Sequence, residues 1–152
     1  MARNPAKSSE KPYICRTSLP SPDGREVYLS ILGEPASKSN QRRFIPGAIP
    51  RFIKSAKALH YTDSFISQAR LQSKSSPLEG SLKLSADIYY ASHRPDLDES
   101  LIMDALQKAE IINNDRQIVW KDIRRFIDRA NPRSRIIIKE IEWDFDKPIL
   151  ER

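Results

Sequence analysis

The chain has 152 residues, of which 39% are hydrophobic and 30% are charged, a size and composition typical of one globular domain. Its single cysteine, Cys15, excludes an internal disulfide and a thiolate metal cage. No apolar run reaches the ~18 residues of a membrane span, and the N-terminus lacks the apolar segment of a secretory signal. The sequence therefore predicts a cytoplasmic protein with no membrane partner.

The net charge of +6 is unevenly distributed along the chain. Residues 1–57 contain 11 Lys and Arg against 4 Asp and Glu, whereas residues 58–152 contain 15 against 16. Every charged residue between positions 35 and 62 is basic: Lys38, Arg42, Arg43, Arg51, Lys54 and Lys57. Segments with charge of one sign commonly bind phosphate groups, although a merely solvated basic loop has the same composition.

The first half of the chain contains two predicted regular elements. Residues 1–25 are polar and aperiodic, which predicts a flexible N-terminal arm before a domain spanning residues 26–152. Alternating apolar residues in Glu26–Leu32 predict a strand. The glycines and prolines of the next segment, GEPASKSNQRRFIPGAIPRF, predict an exposed loop. A helix then follows, with Thr62 or Asp63 as its N-cap.

The second half contains the clearest strand, Leu82–Tyr90, in which apolar residues alternate throughout. The four-residue spacing of apolar residues then predicts a helix that begins at Asp98 and ends near Ala109. Residues 117–126 and 135–143 flank an Asn-Pro turn and predict a terminal antiparallel pair. The order β-α-β-α-β-β predicts an α+β fold, a single domain in which a mixed β-sheet is packed with two main helices.

Three aspartates surround the second predicted helix. Asp96 precedes its start, Asp98 lies at its start as a plausible N-cap, and Asp115 follows its end. The helix carries the chain roughly 16 Å, and residues 110–115 can return about 20 Å if they are extended, so Asp115 can reach the starting end. Three carboxylates in one cleft repel each other unless a cation neutralises them, and oxygen donors of this kind suit Mg²⁺ or Mn²⁺.

Each of these carboxylates also has a structural interpretation. Asp98 is a typical N-cap residue, and Asp115 in Asn-Asn-Asp is a typical turn residue. Asp104 precedes Lys108 by four residues inside the helix, which predicts a surface ion pair. The spacing therefore permits a three-carboxylate cluster without requiring it.

The segment RPDLDESLIMDALQKAEIINNDRQI resembles the RusA family of Holliday-junction resolvases. It shares an Asp-x-Asp at a helix start, a "DAL" inside that helix, and an aspartate before an x-Gln-[Val/Ile] strand. GEPASKSNQRRF is similar to the Pro- and basic-rich N-terminal motif of the family, and the order of elements matches from about Val27 to Trp143. The resemblance implies a homodimeric, Mg²⁺-dependent endonuclease that cuts four-way DNA junctions by paired nicks in recombination and repair.

The three metal-binding aspartates of the family map onto Asp96, Asp98 and Asp115. The sequence departs from the family pattern at Glu99, where Asn is usual. It also departs in the segment ESLIMDAL, which lacks the family's lysine on the first helical turn and is two residues shorter. Lys121, on the strand after Asp115, is a candidate catalytic substitute for that lysine, although an outward surface lysine fits the sequence equally well.

The resulting hypothesis is a nuclease in which three aspartates hold Mg²⁺ while basic residues contact DNA phosphates without reading bases. These basic residues are Lys38, Arg42, Arg43, Arg51, Lys54, Arg129, Arg133 and Arg135. A branched-DNA-binding protein that has lost catalysis is the alternative, and the missing lysine favours it. An RNA-binding domain lacks support, because no RNP-like stacking motif is present.

Overall fold

A computed structural model describes residues 24–37 and 42–147 of the chain. In chain order the elements are β1 (Glu26–Leu32), β2 (Arg42–Ile45), β3 (Arg51–Lys54), α1 (Ala56–Gln72), β4 (Leu82–Tyr90), α2 (Ser100–Lys108), a 3₁₀ turn (Asp115–Gln117), β5 (Ile118–Ile127) and β6 (Arg133–Glu140). The predicted order β-α-β-α-β-β is confirmed, with β2 and β3 added as a hairpin between β1 and α1. No helix in these ranges is long and apolar enough to span a membrane.

A four-stranded mixed sheet has the order β1-β6-β4-β5. β4 pairs in parallel with β5 and antiparallel with β6, and β6 pairs antiparallel with β1. The prediction that the last two strands pair with each other is wrong, because β5 and β6 lie on opposite sides of β4. The connection between them passes the end of β4, where the Asp128 N–H donates to the Tyr90 carbonyl at 2.9 Å. Strand pairing is a long-range property that the local pattern of each strand does not specify.

The core lies between one face of this sheet and the two helices. Every second residue of β4 is buried, beginning with Leu82 and ending with Tyr90, as the alternation predicted. These side chains pack in one cluster with Phe65 of α1 and with Leu106 of α2. The opposite face of the sheet carries polar and aromatic groups, including Lys83, whose ammonium lies 3.9 Å from the Trp120 ring centre. The two faces of the sheet therefore have different chemistry.

Both helices begin at positions other than those predicted. α1 begins at Ala56, and the Ser55 side chain caps it by accepting the Ala58 N–H. Thr62 is buried within α1, where its hydroxyl donates to the Ala58 carbonyl, so the prediction of Thr62 or Asp63 as the N-cap is wrong. The buried face of α1 begins at Ala58, and the helix starts about two turns before the predicted N-cap.

α2 begins at Ser100, and Glu99 occupies its N-cap position without a capping hydrogen bond from its side chain. The predicted N-cap residue, Asp98, lies one residue earlier. Its carboxylate nevertheless accepts the Ser100 N–H at 3.0 Å. Asp98 therefore still holds the first residue of the helix.

The segment predicted as an exposed loop contains the β2–β3 hairpin, which forms a two-stranded antiparallel sheet of its own. Its strands are only four residues long, and Pro46, Gly47 and Pro50 lie in the turn between them. Lys38, one of the predicted DNA contacts, lies outside the described residues, as does most of the predicted N-terminal arm.

Arg25 ties together three parts of the fold. Its backbone N–H and its Nε donate to the Glu140 carboxylate at 3.1 and 3.0 Å, at the end of β6. Its other guanidinium nitrogens donate to Ser76 and Pro77, in the segment between α1 and β4. The Glu79 N–H donates to the same carboxylate, so Glu140 is the centre of this network.

Candidate active site and nucleic-acid interface

The acidic loop of residues 91–99 is attached to the end of β4 by a buried tyrosine. The Tyr90 hydroxyl donates to the Asp96 carbonyl at 3.1 Å and accepts the Asp98 N–H at 3.4 Å. Burial raises the pKa of this hydroxyl, so it stays protonated and remains a donor. Arg125 of β5 donates to the Pro95 carbonyl at 2.6 Å. Tyr90 and Arg125 therefore fix the backbone that carries both predicted aspartates.

The alternating pattern of β4 predicted Tyr90 as a core residue, and its hydrogen bonds to the acidic loop were not predicted. The available signal was its position, since it is the last apolar-face residue of β4 and is followed directly by the acidic loop. A tyrosine is suited to that place because its ring is apolar and its hydroxyl forms hydrogen bonds.

A lysine of β5 lies beside the acidic loop. The Lys121 ammonium is 2.5 Å from the Glu99 carboxylate, and that carboxylate is largely shielded from solvent. Lys121 shares a strand face with Arg125, which also contacts the loop, because residues separated by two or four positions in a strand point the same way. The structure therefore directs Lys121 towards the start of α2.

Asp115 contacts the other end of α2. It begins the 3₁₀ turn, and its N–H donates to the Gln107 side chain at 3.2 Å. The preceding residues do not form the extended return strand that the sequence analysis considered. Ile111 and Ile112 are buried in the core, and Ile112 makes only a single parallel bridge, with Leu78.

The three aspartates have the donor atoms that a hard divalent cation prefers, because all of these atoms are carboxylate oxygens. They do not form an assembled metal site, since the described ranges contain no group of three or more His, Cys, Asp or Glu side chains arranged to hold a metal ion. Asp96 and Asp98 share one loop, while Asp115 is held near the last turn of α2. Their joint role as metal ligands therefore stays a prediction.

The basic hairpin is joined to α2 by an ion pair between Lys54 and Asp104. Asp104 also pairs with Lys108 at 3.3 Å, which confirms the predicted contact within the helix. Burial alone would lower the pKa of the Lys54 ammonium, but its hydrogen bond to Asp104 outweighs that effect and raises the pKa. Burial would likewise raise the pKa of Asp104, but Lys54 lowers it. Both groups are therefore charged at neutral pH.

An open cavity of about 210 Å³ lies where the hairpin meets α2, lined by Arg42, Lys54, Ser100, Leu101 and Asp104. The cavity reaches the first turn of α2, where the partial positive charge of the helix dipole also favours anions. Ser100 lines it and donates its N–H to Asp98. The predicted DNA-binding residues Arg42 and Lys54 and the predicted catalytic residue Asp98 thus lie near the same end of α2.

The remaining predicted DNA contacts lie elsewhere. Arg43 and Arg51 are exposed on the hairpin, and Arg129 is exposed in the connection between β5 and β6. Arg133 binds Asp128 at 2.7 Å and lies 3.9 Å from the Tyr89 ring centre, and Arg135 lies 5.7 Å from the same ring. Since Tyr89 points to the face of β4 opposite Tyr90, these last two arginines lie on the sheet face away from α2.

The fold and the site define a small α+β protein with a basic hairpin beside an acidic loop, a combination suited to an enzyme that acts on nucleic acid. The family model described as "Endodeoxyribonuclease RusA" matches residues 33–139, which include the hairpin, the acidic loop and β5. The chain therefore belongs to the RusA endodeoxyribonuclease family, and the resemblance found in the sequence is confirmed. A search of the curated proteins finds no significant match.

Proposed function

We propose that the protein is a Mg²⁺-dependent endodeoxyribonuclease that resolves four-way DNA junctions in recombination and repair. The observation that carries this proposal is the cavity at the first turn of α2, which Arg42 and Lys54 line together with Ser100, the residue whose N–H donates to the Asp98 carboxylate. Hydrolysis of a phosphodiester needs positive charge on the phosphate oxygens and carboxylates close to the scissile bond. Membership of an endodeoxyribonuclease family supports the same reaction.

In this proposal Arg42 and Lys54 bind phosphate oxygens of the DNA backbone. Such contacts position the strand and carry no sequence information. The bond to Asp104 keeps Lys54 protonated and prevents the long side chain from moving freely. Arg43 and Arg51, together with Lys38 outside the described residues, add to the positive charge of the same segment. Arg129, in the β5–β6 connection, and Arg133 and Arg135, on the sheet face away from α2, would form a second group of phosphate contacts.

Asp96, Asp98 and Asp115 are the residues that would hold the cation. When bound, Mg²⁺ or Mn²⁺ supplies Lewis-acid charge at the phosphate and lowers the pKa of a water molecule. Tyr90 contributes by fixing the backbone of Asp96 and Asp98, and Ser100 holds the Asp98 carboxylate. Water attacks the phosphorus and the ester P–O bond breaks, so each nick leaves one phosphate end and one hydroxyl end.

Lys121 takes the place of the lysine that the family carries on the first helical turn. The two departures from the family pattern complement each other, because Glu99 replaces the usual Asn and forms the ion pair that holds Lys121. In this position the ammonium is available to stabilise negative charge on the scissile phosphate. A homodimer, implied by the family resemblance, would present two such sites to a junction with two-fold symmetry.

The proposal is tested by incubating the protein with a synthetic four-way junction, in Mg²⁺ or in EDTA, and separating the strands on a denaturing gel. We expect paired nicks in Mg²⁺ only. Asp98→Asn should reduce the nicking rate at least a hundredfold, because the substitution removes one of the carboxylates that would hold the cation. Asp63→Asn, the same change at an exposed position of α1, is the matched control and should cleave like the natural chain.

A second candidate function is branched-DNA binding without catalysis. The observation that favours it is the absence of an assembled carboxylate cluster among the described residues, together with the missing helix lysine. A mobility shift of the junction without nicks, in Mg²⁺ and in Mn²⁺, would select this function over the nuclease.

A further inference from the structure

The β2–β3 hairpin carries an exposed pair of aromatic rings. Phe44 is 50% exposed and Phe52 is 67% exposed, and their ring centres are 5.3 Å apart with a tilt of 55°. Ile49, in the turn, is also exposed. Isolated apolar side chains on a surface need no explanation, but a contiguous group on a short hairpin is typical of a binding surface.

The register of the hairpin places these rings beside the cations of the cavity. Arg42 pairs with Lys54, and Phe44 pairs with Phe52. Because alternate residues of a strand share a face, the two pairs lie on one face, about 7 Å apart at ~3.4 Å per residue. Arg43 and Arg51 lie on the other face. One face of the hairpin therefore leads from a pair of cations at α2 to a pair of aromatic rings.

We propose that Phe44 and Phe52 form a stacking platform for unpaired bases of a DNA strand whose phosphate is held by Arg42 and Lys54. Proteins that bind single strands combine cations that follow the backbone with aromatic rings on which bases stack. This inference deepens the proposed function and rests on it for the identity of the substrate. The proposal predicts that the hairpin prefers single-stranded to duplex DNA, because a base can reach the rings only where it is not paired.

The charge of the hairpin identifies the occupant as nucleic acid. All four charged residues of the hairpin strands are basic, namely Arg42, Arg43, Arg51 and Lys54. A second copy of the same surface would bring like charges together, which opposes association. A DNA strand instead supplies phosphates for the cations and flat apolar bases for the rings.

The test compares binding of a single-stranded oligonucleotide containing 2-aminopurine with binding of the same sequence as a duplex, both in EDTA so that no cleavage is required. The variant is Phe44→Leu with Phe52→Leu, which keeps apolar side chains and removes the aromatic faces. We expect quenching of 2-aminopurine fluorescence by the natural chain. The double variant should lose the quenching and roughly tenfold of its single-strand affinity, with duplex affinity unchanged.

Two control variants make this result specific. Phe44→Tyr with Phe52→Tyr keeps both rings and should retain quenching and single-strand affinity. Phe145→Leu alters a phenylalanine that is 76% exposed outside the hairpin, and it should also bind as the natural chain does.

Equal losses on single strand and duplex would overturn the proposal, as would quenching that persists in the leucine variant. A change in oligomeric state of the leucine variant, measured by light scattering, would overturn it in favour of contact between copies. The binding assay is independent of cleavage. If the junction is never nicked but the leucine variant still loses quenching, the nuclease proposal fails alone. If junctions are nicked normally and quenching persists in the variant, the stacking proposal fails alone.

Discussion

The four-stranded sheet and the β2–β3 hairpin both contain apolar residues, but they bury them to opposite extents. In β4 every second side chain is buried between the sheet and the helices. In the hairpin no residue is buried, and both phenylalanines face solvent. A two-stranded hairpin is marginally stable by itself, and this one is connected to the core by the Lys54–Asp104 ion pair. The sheet therefore provides stability, while the hairpin exposes its side chains to solvent.

The largest effect on stability is expected in the sheet. Ile88 of β4 is 0% exposed, so Ile88→Ala should lower the free energy of unfolding by about 2–5 kcal/mol, because it removes buried methyl groups and leaves a cavity. Phe52→Ala, a larger truncation in the hairpin, should change it by less than about 1 kcal/mol. Urea unfolding of both variants measures the difference. Equal losses would show that the hairpin is part of the cooperative core, and that the sheet and the hairpin do not differ in their contribution to stability.

An intermediate effect on stability is expected at Glu140 of β6, whose carboxylate accepts hydrogen bonds from Arg25 and Glu79. Burial alone would raise the pKa of this carboxylate, but the N–H groups of Glu79 and Arg25 outweigh it and hold the pKa below its ordinary value of 4.5. A lowered folded-state pKa contributes stability above the unfolded-state pKa, and that contribution is lost as the pH falls through the folded-state pKa. Glu140→Gln should therefore cost about 1–2 kcal/mol at pH 7.

Unfolding curves of the natural chain and of Glu140→Gln between pH 7 and pH 3 measure this contribution. We expect the two free energies to begin to converge below about pH 4.5 and to meet once the pH has fallen through the lower folded-state pKa of Glu140. A difference that stays constant over the whole range would mean that the charge of Glu140 contributes nothing to stability.

The smallest effect on global stability is expected at the link between the two regions. Lys54→Met should change the free energy of unfolding by less than about 1 kcal/mol, because the ion pair is partly exposed. It should nevertheless increase amide hydrogen exchange in β2 and β3 severalfold, because the hairpin loses its attachment to α2. Lys108→Met is the matched control, since Lys108 pairs with the same Asp104 from within α2. Faster hairpin exchange in both variants would exclude a specific role for Lys54.

The sequence predicts the elements whose burial is periodic. β1 and β4 were located correctly because alternation follows directly from one buried face. The hairpin was missed because its strands have only four residues each and because Pro46, Gly47 and Pro50 between them indicate irregular structure. The positions of β5 and β6 on either side of β4 were missed because each strand alone is compatible with several partners.

The candidate site was predictable in its residue types and less so in its geometry. Asp96 and Asp98 were recognised because two carboxylates before a helix are chemically unusual, but their attachment through Tyr90 depends on a contact that no local pattern contains. The number of residues between α2 and Asp115 gave only the greatest distance that this segment can span towards the start of α2. The actual path is shorter, because Glu110 turns with a φ of 61° and the following two isoleucines are buried in the core.

The hairpin forms a sheet separate from the four core strands, which has a consequence for divergence among relatives. Residues added or removed in its turn, between Ile45 and Arg51, shift the register of no core strand. Such changes alter the reach and the character of the hairpin tip at little cost to folding. The length of the hairpin can thereby change while the scaffold that carries the acidic loop stays the same.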